Sequence, residues 1–228
     1  MDITTSPQRK SLDYEEGYHK ERHNNHFNDD YYNARAKIAL GKFYQGLNIN
    51  SRILDYGCGM GQNIYLLPNA QGFDISNFSV EFCKRKGIKA TTNSRDVERG
   101  SIDIVLSSHS LEHHPHPKTS LEDIYSLLKD NGTLVLVLPY ERHNAAKGKG
   151  DYRLDLNQHL YNWNFQNINN LLITTGFRII ENRYVRGTGY YKLLPLMKLG
   201  FNIYRFATNF VSRLTGIKEI MVIAEKKI

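Results

Sequence analysis

Short apolar runs alternate with helical stretches along most of the chain. The runs have the length of strands and fall at residues 52–56, 70–75, 88–92, 102–107, 133–138, 177–185 and 220–225. Helices are predicted before and between them, at residues 31–44, 61–67, 77–86, 118–129 and 164–175. Strands that alternate with helices form a mostly parallel sheet covered on both faces. The sequence therefore predicts an α/β protein of the doubly wound type.

The whole chain, residues 1–228, is predicted to form one domain, because its length suits one sizeable core and is short for two. Residues 1–30 are polar, and we predict that they are partly disordered, above all the first ten. The histidines of this segment are expected in solvent: His19, His23 and His26. Two segments that interrupt the alternating pattern, 140–160 and 186–216, are predicted to be insertions.

A glycine-rich loop follows the first predicted strand, in the stretch SRILDYGCGMGQN at residues 51–63. In an open α/β sheet, ligands bind beyond the carboxyl ends of the strands, so this loop is the expected site. No Gly-Lys-Ser/Thr follows it, so the P-loop interpretation fails. Gln62 stands where the dinucleotide fingerprint G-x-G-x-x-G has its third glycine, which weakens a dinucleotide interpretation without excluding it.

Acidic residues mark the ends of the first two predicted strands. Asp55 precedes the glycines Gly57, Gly59 and Gly61, and Asp74 ends the second strand. At that place a carboxylate can accept hydrogen bonds from both hydroxyls of a ribose. A ribose with free hydroxyls and no pyrophosphate indicates S-adenosylmethionine as the ligand.

Four segments in this order resemble the class I S-adenosylmethionine-dependent methyltransferases, and among them the small-molecule group called type 11. They are RILDYGCGMGQ, GFDIS, SIDIVLSSHSLEHHPHP and LKDNGTLVLVLP. The resemblance covers roughly residues 50–140, with a weaker echo at 159–180. It implies a Rossmann-like sheet of seven strands with the last strand antiparallel, S-adenosylmethionine as cofactor, and methyl transfer by in-line displacement.

The resemblance also implies roles for individual residues. The cofactor-binding set is Asp55, Gly57, Cys58, Gly59, Gly61, Asp74, Ile75 and Ser108. Asp55 and the glycine loop would surround the methionine part of the cofactor, Asp74 would hold the ribose, and Ile75 would lie against the adenine. Ser107, Ser108 and His109, just past the fourth strand, would line the end where the methyl group is transferred.

A general base is needed only if the acceptor arrives protonated, and it then contributes roughly 10²–10⁴-fold to the rate. Unperturbed imidazole titrates near neutral pH, so the histidines near the fourth strand are candidates. They are His109, His113, His114, His116 and, further along the chain, His159. We predict His109 first and His159 next, because both should lie at the cofactor edge. No metal is predicted, because prolines interrupt histidines that are too close in sequence to converge on one ion.

The net charge of +7 permits an anionic partner without requiring one. The basic and apolar segment 190–214 has three interpretations: a helical cap over the substrate pocket, a peripheral contact with a membrane surface, or a nucleic-acid contact. The third is disfavoured, because no recognisable RNA-binding module accompanies the charge. Two cysteines, the polar start MDITTSPQRK and the lack of a long apolar run together predict a cytoplasmic protein.

The predicted function is S-adenosylmethionine-dependent methyl transfer to a small molecule or a saccharide. Segments 140–160 and 186–216 would then build the cap of the acceptor site, since related folds vary function through loops. The alternatives are an RNA methyltransferase and a methyltransferase-like binding module without catalysis. A nicotinamide-dependent oxidoreductase is less favoured. The acceptor atom and the oligomeric state stay open.

Overall fold

Seven strands form one sheet in the computed structural model, which describes residues 14–140, 158–187 and 189–227. The strands are β1 (Ile53–Tyr56), β2 (Ala70–Phe73), β3 (Lys89–Thr91), β4 (Ile102–Ser108), β5 (Leu128–Pro139), β6 (Phe177–Val185) and β7 (Glu219–Lys226). Their order is β3-β2-β1-β4-β5-β7-β6. Neighbouring strands run parallel except at β7, which is antiparallel to β5 and β6. The predicted fold class is confirmed.

Six α-helices accompany the sheet in the described ranges. They are α1 (Glu16–Arg22), α2 (Asp29–Phe43), α3 (Asn77–Arg85), α4 (Pro117–Leu127), α5 (Phe165–Thr174) and α6 (Phe201–Thr215). Side chains of α4 and α5 pack into the core on one face of the sheet. Side chains of α2 and α3 pack into the core on the other face. Helices thus cover both faces, as the alternating pattern predicts.

Strand β5 shows why the central runs are almost wholly apolar. Leu134, Leu136 and Leu138 belong to the core beneath α4 and α5, whereas Val135 and Val137 belong to the core beneath α2. Successive side chains of a strand point to opposite faces, and both faces are covered here. Each fully buried side chain of this kind stabilises the fold by about 1.5–3 kcal/mol.

The stretch 61–67 is not the helix that its sequence predicts. It forms consecutive turns, in which Ile64 donates to the Gly61 carbonyl and Leu67 to the Ile64 carbonyl. Gly61 has a φ of +78°, which no right-handed helix accommodates, and Pro68 ends the segment. Too few residues are left between these two to propagate a helix.

The other predicted segments have different outcomes. The first ten residues and most of the segment 140–160 lie outside the described residues. Residues 16–22 form α1 within the region predicted to be partly disordered. In the segment 186–216, a 3₁₀ helix at Tyr191–Leu199 and α6 pack against α2. No helix in the described ranges combines the length and the apolarity needed to cross a bilayer.

Candidate active site

The glycine loop crosses the carboxyl end of β1, where the strand order reverses between β1 and β4. The backbone N–H groups of Gly57 and Cys58 donate to the Phe73 carbonyl at 2.8 and 2.9 Å, which ties the loop to the end of β2. Gly57 has a φ of +82°, and a Cβ there would lie 2.1 Å from Ser110 Oγ. Only glycine fits this position. At Gly59 a Cβ would meet no described atom within 4 Å, so this residue faces open space.

Asp74 lies where the sequence places it, beside Gly59 at the end of β2. The N–H of Gly59 donates to Asp74 Oδ2 at 2.7 Å, and the N–H of Ser76 donates to Oδ1 at 2.9 Å. Burial raises the pKa of Asp74, and these two hydrogen bonds oppose the shift. A carboxylate offers about four acceptor positions, so two remain for further donors.

A cavity of about 300 Å³ opens beside Asp74. Ile75, which is 65 % exposed, lines it together with Phe73, Tyr14 and Tyr18. An acid next to apolar and aromatic side chains suits a nucleoside, with the ribose at the acid and the base against the apolar wall. Asp74 and Ile75, both predicted to bind the cofactor, thus line the same cavity.

Asp55 lies beneath the glycine loop and lines neither of the two cavities of the site. It is fully buried, and neither carboxylate oxygen has a hydrogen-bond partner among the described residues. Burial raises its pKa to about 8, Asp74 adds to the shift, and the Asn63 amide opposes it. Its predicted contact with the cofactor stays a prediction.

Cys58 packs against the sheet. A Cβ on Gly72 would lie 2.5 Å from the Cys58 Sγ atom, so the thiol fills the space that this glycine leaves. A hydrogen bond with Cys83 and burial raise the pKa of Cys58, which keeps the thiol protonated and unreactive. Its side chain packs against the sheet, and its predicted place in the cofactor site stays a prediction.

A second cavity, of about 690 Å³, adjoins the first. The two share Gly57, Gly59 and His109 in their walls, and Ser108 lines only the larger one. The larger cavity is rich in polar side chains, among them both predicted catalytic histidines, His109 and His159.

A network of charged groups crosses the floor of the larger cavity. Lys42 of α2 pairs with Glu219, the first residue of β7, and both are buried. Glu219 Oε1 lies 2.9 Å from His109 Nε2, and His109 Nδ1 lies 3.6 Å from Glu112 Oε1. Burial raises the pKa of Glu219, but His109 and Lys42 outweigh it and hold the value at about 2.

His109 is held between two carboxylates. Its side chain is 41 % exposed, and that exposure faces the cavities. Burial lowers its pKa, but Glu112 and Glu219 outweigh this and raise it to about 9, so the imidazole is protonated at neutral pH. Both ring nitrogens face acids, which favours His159 over His109 as the group that would accept a proton.

Glu112 is the centre of a histidine cluster that sequence reasoning missed. Its side chain is 0 % exposed, and His113 Nε2 and His159 Nε2 lie 4.0 and 3.9 Å from its Oε1 atom. The N–H of Leu160 donates to the Glu112 carbonyl at 2.9 Å, which anchors the chain that carries His159. His114 lies apart from this cluster, between the hydroxyls of Ser110 and Ser120.

The N-terminal helix covers the site. Tyr18, His19 and His23 line both cavities. His19 is 5 % exposed, and its Nε2 lies 2.8 Å from Ser79 Oγ at the start of α3. Burial also lowers the pKa of His26 to about 2. The expectation that these N-terminal histidines are solvated is therefore wrong for His19, which is buried because α1 folds back over the carboxyl edge of the sheet, whereas His23 and His26 are half-buried.

Sequence features could have revealed the missed residues. Tyr18 lies four residues after Tyr14 in a polar segment, a spacing that places two side chains on one face of a helix. Glu219 is one of only two acids from residue 183 onward, against nine lysines and arginines. An isolated acid next to an apolar strand suggests a buried ion pair.

This topology, with an acid-flanked glycine loop at the switch point and a nucleoside-sized cavity beside it, defines a Rossmann-like methyltransferase fold. A family model described as "Methyltransferase domain" matches residues 21–182. The chain belongs to this family and, with it, to the class I S-adenosylmethionine-dependent methyltransferases of the type 11-like group, as the motifs predict. S-adenosylmethionine is the cofactor of this class, and the residues around Asp74 suit it.

Solved structures share the fold at low sequence identity. A S-adenosylmethionine-dependent methyltransferase of Thermotoga maritima is similar with a TM-score of 0.63 and 15 % identity, over 91 % of this chain and 98 % of that one. The Haemonchus contortus phosphoethanolamine N-methyltransferase 2, in complex with S-adenosylhomocysteine, has a TM-score of 0.58 and 15 % identity. That likeness covers 95 % of this chain and 61 % of the other.

A curated relative matches part of the chain. It is an uncharacterized protein of Methanocaldococcus jannaschii, 30 % identical over 90 residues. The match spans 38 % of this chain and about a third, 36 %, of the relative.

Proposed function

We propose that this protein transfers a methyl group from S-adenosylmethionine to a small-molecule or saccharide acceptor. The observation that carries the proposal is the pair of adjoining cavities. One has the size and lining of a nucleoside site, and the other is larger, polar and rich in histidine. They meet at Gly57, Gly59 and His109, so a donor in the first would present its reactive end to an acceptor in the second.

The residues of the chain would mainly bind and orient the reactants. Asp74 would hold the ribose hydroxyls, Ile75 would lie against the adenine, and the face of Gly59 would admit the remainder of the cofactor. When bound, the cofactor supplies a methyl group already activated on a sulfonium. Orientation alone can supply an effective molarity of ~10⁵ M or more.

An acceptor that carries a hydroxyl would also have to lose a proton. His159 lines the larger cavity beside the buried carboxylate of Glu112. We propose this imidazole as the acceptor of that proton, with His109 held as a cation between Glu112 and Glu219. The positive charge of His109 would attract an anionic acceptor group.

Binding and turnover separate this proposal from its rivals. In calorimetry we expect S-adenosylhomocysteine, but not NAD, to bind with one site per chain. A screen of hydroxylated metabolites and sugars should then release S-adenosylhomocysteine. Binding of NAD instead would favour the oxidoreductase, binding without any turnover would favour the inactive module, and turnover on RNA that falls steeply with salt would favour the RNA enzyme.

We also propose that α6 rests on an anionic membrane surface. Its residues Ile203, Phe206, Phe210 and Leu214 follow one helical face, and all four are exposed, Phe206 at 73 %. The opposite face packs on the protein through Tyr204, Thr208 and Ser212, all of them buried. The apolar face therefore points outward, and the surplus of basic residues from residue 183 onward complements anionic headgroups.

The state of the two cysteines bears on the cellular compartment. Cys58 and Cys83 are both free and buried. Unpaired thiols suit a reducing environment, so we propose that the protein works in the cytoplasm.

A further inference from the structure

We infer that Glu112, His113 and His159 form a binding site for a divalent first-row transition-metal ion in the wall of the larger cavity. The inference rests on the proposed function, which it deepens by naming the class of acceptor. One carboxylate oxygen and two imidazole nitrogens of these residues all lie within 4.8 Å of one another. All three residues line the cavity.

The distances already approach those of a metal site. Tetrahedral zinc, with donor atoms about 2.0–2.1 Å from the ion, holds them about 3.4 Å apart. Glu112 Oε1 lies 3.9 Å from His159 Nε2 and 4.0 Å from His113 Nε2. Imidazole nitrogens together with one carboxylate suit zinc, iron, nickel or copper better than calcium and magnesium, which prefer oxygen ligands.

The carboxylate of Glu112 supplies the independent observation. Its side chain is 0 % exposed, and both oxygens lack a hydrogen-bond partner within the described ranges. His109 Nδ1 approaches one of them only to 3.6 Å, beyond hydrogen-bond distance. The His109 cation supplies opposite charge but no hydrogen bond within that distance, and a buried carboxylate whose oxygens accept no hydrogen bond is costly. A metal ion bound directly to Oε1 would supply the missing contact.

His113 is oriented as a metal ligand. Its Nδ1 lies 3.3 Å from the backbone carbonyl of Gln158. A ring N–H donated to a carbonyl leaves the lone pair on Nε2, the atom that faces Glu112. Metal-bound histidines commonly have such a partner, which fixes the tautomer and the ring orientation.

Three protein ligands leave at least one coordination position for a cavity molecule. An acceptor hydroxyl on the ion would have a lowered pKa and would release its proton to water. Its oxygen would then bond the methyl carbon while the carbon–sulfur electron pair returns to sulfur. The site thus favours acceptors with a hydroxyl or a pair of adjacent hydroxyls, and the ion would replace His159 as the means of deprotonation.

The test uses the full-length protein after treatment with EDTA and removal of the chelator. Calorimetric titration with ZnCl₂ should show one site per chain, and CoCl₂ should give the visible absorption of a protein-bound ion. We expect His159→Gln to weaken Zn²⁺ binding by at least ~100-fold, since even second-shell changes cost 10–100-fold. The matched control is His116→Gln, an exposed histidine outside both cavities, which should bind as the wild type does.

Glu112→Gln removes the carboxylate and should also abolish binding. Glu112 is buried, so Glu112→Gln could fail to fold. In that case His113→Gln, which removes a second ligand, gives the same readout. Binding that survives His159→Gln and His113→Gln, or the absence of a single site in the wild type, would overturn the inference. Titration with S-adenosylhomocysteine in the same samples keeps the two proposals separate, because a chain that binds it but no metal retains the proposed function and loses only this inference.

Discussion

Glu15 caps a helix that begins more than sixty residues further along the chain: its Oε2 atom accepts a hydrogen bond from the backbone N–H of Phe78 at 2.9 Å. Its Oε1 atom accepts another from the N–H of Asn77 at 3.1 Å. The first N–H groups of a helix have no acceptor within the helix, and in α3 the Glu15 carboxylate of the N-terminal segment is the acceptor for two of them. The same contact holds Tyr14 and Tyr18 over the nucleoside-sized cavity.

Glu15→Ala should therefore weaken cofactor binding. Loss of a helix cap costs about 1 kcal/mol, which corresponds to roughly a five-fold lower affinity for S-adenosylhomocysteine if closure of α1 over the site is coupled to binding. Calorimetry would measure it. The control is Glu16→Ala, which removes an exposed neighbour paired with Lys20 within α1. Equal affinities in the two variants would show that the cap does not contribute to binding.

Asp74→Ala should reduce the affinity for S-adenosylhomocysteine by an order of magnitude or more. Hydrogen bonds to a charged group contribute ~1.5–3 kcal/mol each, and this carboxylate also holds the N–H of Gly59. The exposed Asp130→Ala is the control.

The role of Asp74 in ribose binding has a sharper signature. The wild type should prefer adenosine to 2′-deoxyadenosine, and this preference should vanish in Asp74→Ala even if both affinities fall. A preference that persists would mean that Asp74 acts only by holding the loop.

Asp55→Asn should change how stability depends on pH. Burial raises the pKa of Asp55 to about 8, above its ordinary value of 3.8, so the folded state binds a proton more tightly than the unfolded state. The stability linked to this proton is complete below pH ~4 and is lost as the pH rises to 8. The amide cannot ionise, so the melting temperature of the variant relative to the wild type should rise between pH 5 and pH 8 and then level off. A difference in melting temperature between variant and wild type that stays constant from pH 5 to pH 8 would contradict a buried carboxyl group that binds a proton in this range.

Replacing Phe206 and Phe210 with serine should reduce binding to anionic vesicles several-fold and leave S-adenosylhomocysteine binding unchanged. Both rings are exposed on the outward face of α6, and burial of apolar area drives interfacial binding. Co-sedimentation with phosphatidylserine-containing vesicles is the measurement, and phosphatidylcholine vesicles should bind less. Ile173→Ser changes an exposed apolar residue of α5 and serves as the control. Dimerisation through α6 without vesicle binding would assign the face to a second copy of the chain.

The sequence predicts the fold and the positions of the glycine loop and Asp74, because both depend on local patterns. Asp55, Gly57, Gly59 and Asp74 lie within twenty residues of one another, and strand–loop geometry brings the last two into contact. The helix expected at 61–67 fails for an equally local reason, since the backbone at Gly61 is left-handed. The prediction placed Gly61 at the start of the helix and did not foresee its left-handed backbone.

The arrangement of the larger cavity could not be predicted, because its parts come from distant segments. Glu112 follows β4, His159 precedes α5, and Glu219 begins β7. Pairing of Pro139 with Glu219 in antiparallel register carries that carboxylate to the edge where the parallel strands end. The sequence shows that His113 and its neighbours are close together, but it does not show that His159 approaches them from another loop.

The position of β7 between β5 and β6 also determines when the site can form during synthesis. β6 leaves the ribosome earlier, yet among the described strands only β7 links it to the sheet. A nascent polypeptide that ends before Glu219 gives Lys42 and His109 no common carboxylate. The ion-pair network of the larger cavity is therefore completed only when β7 inserts between β5 and β6, two strands that precede it in the chain.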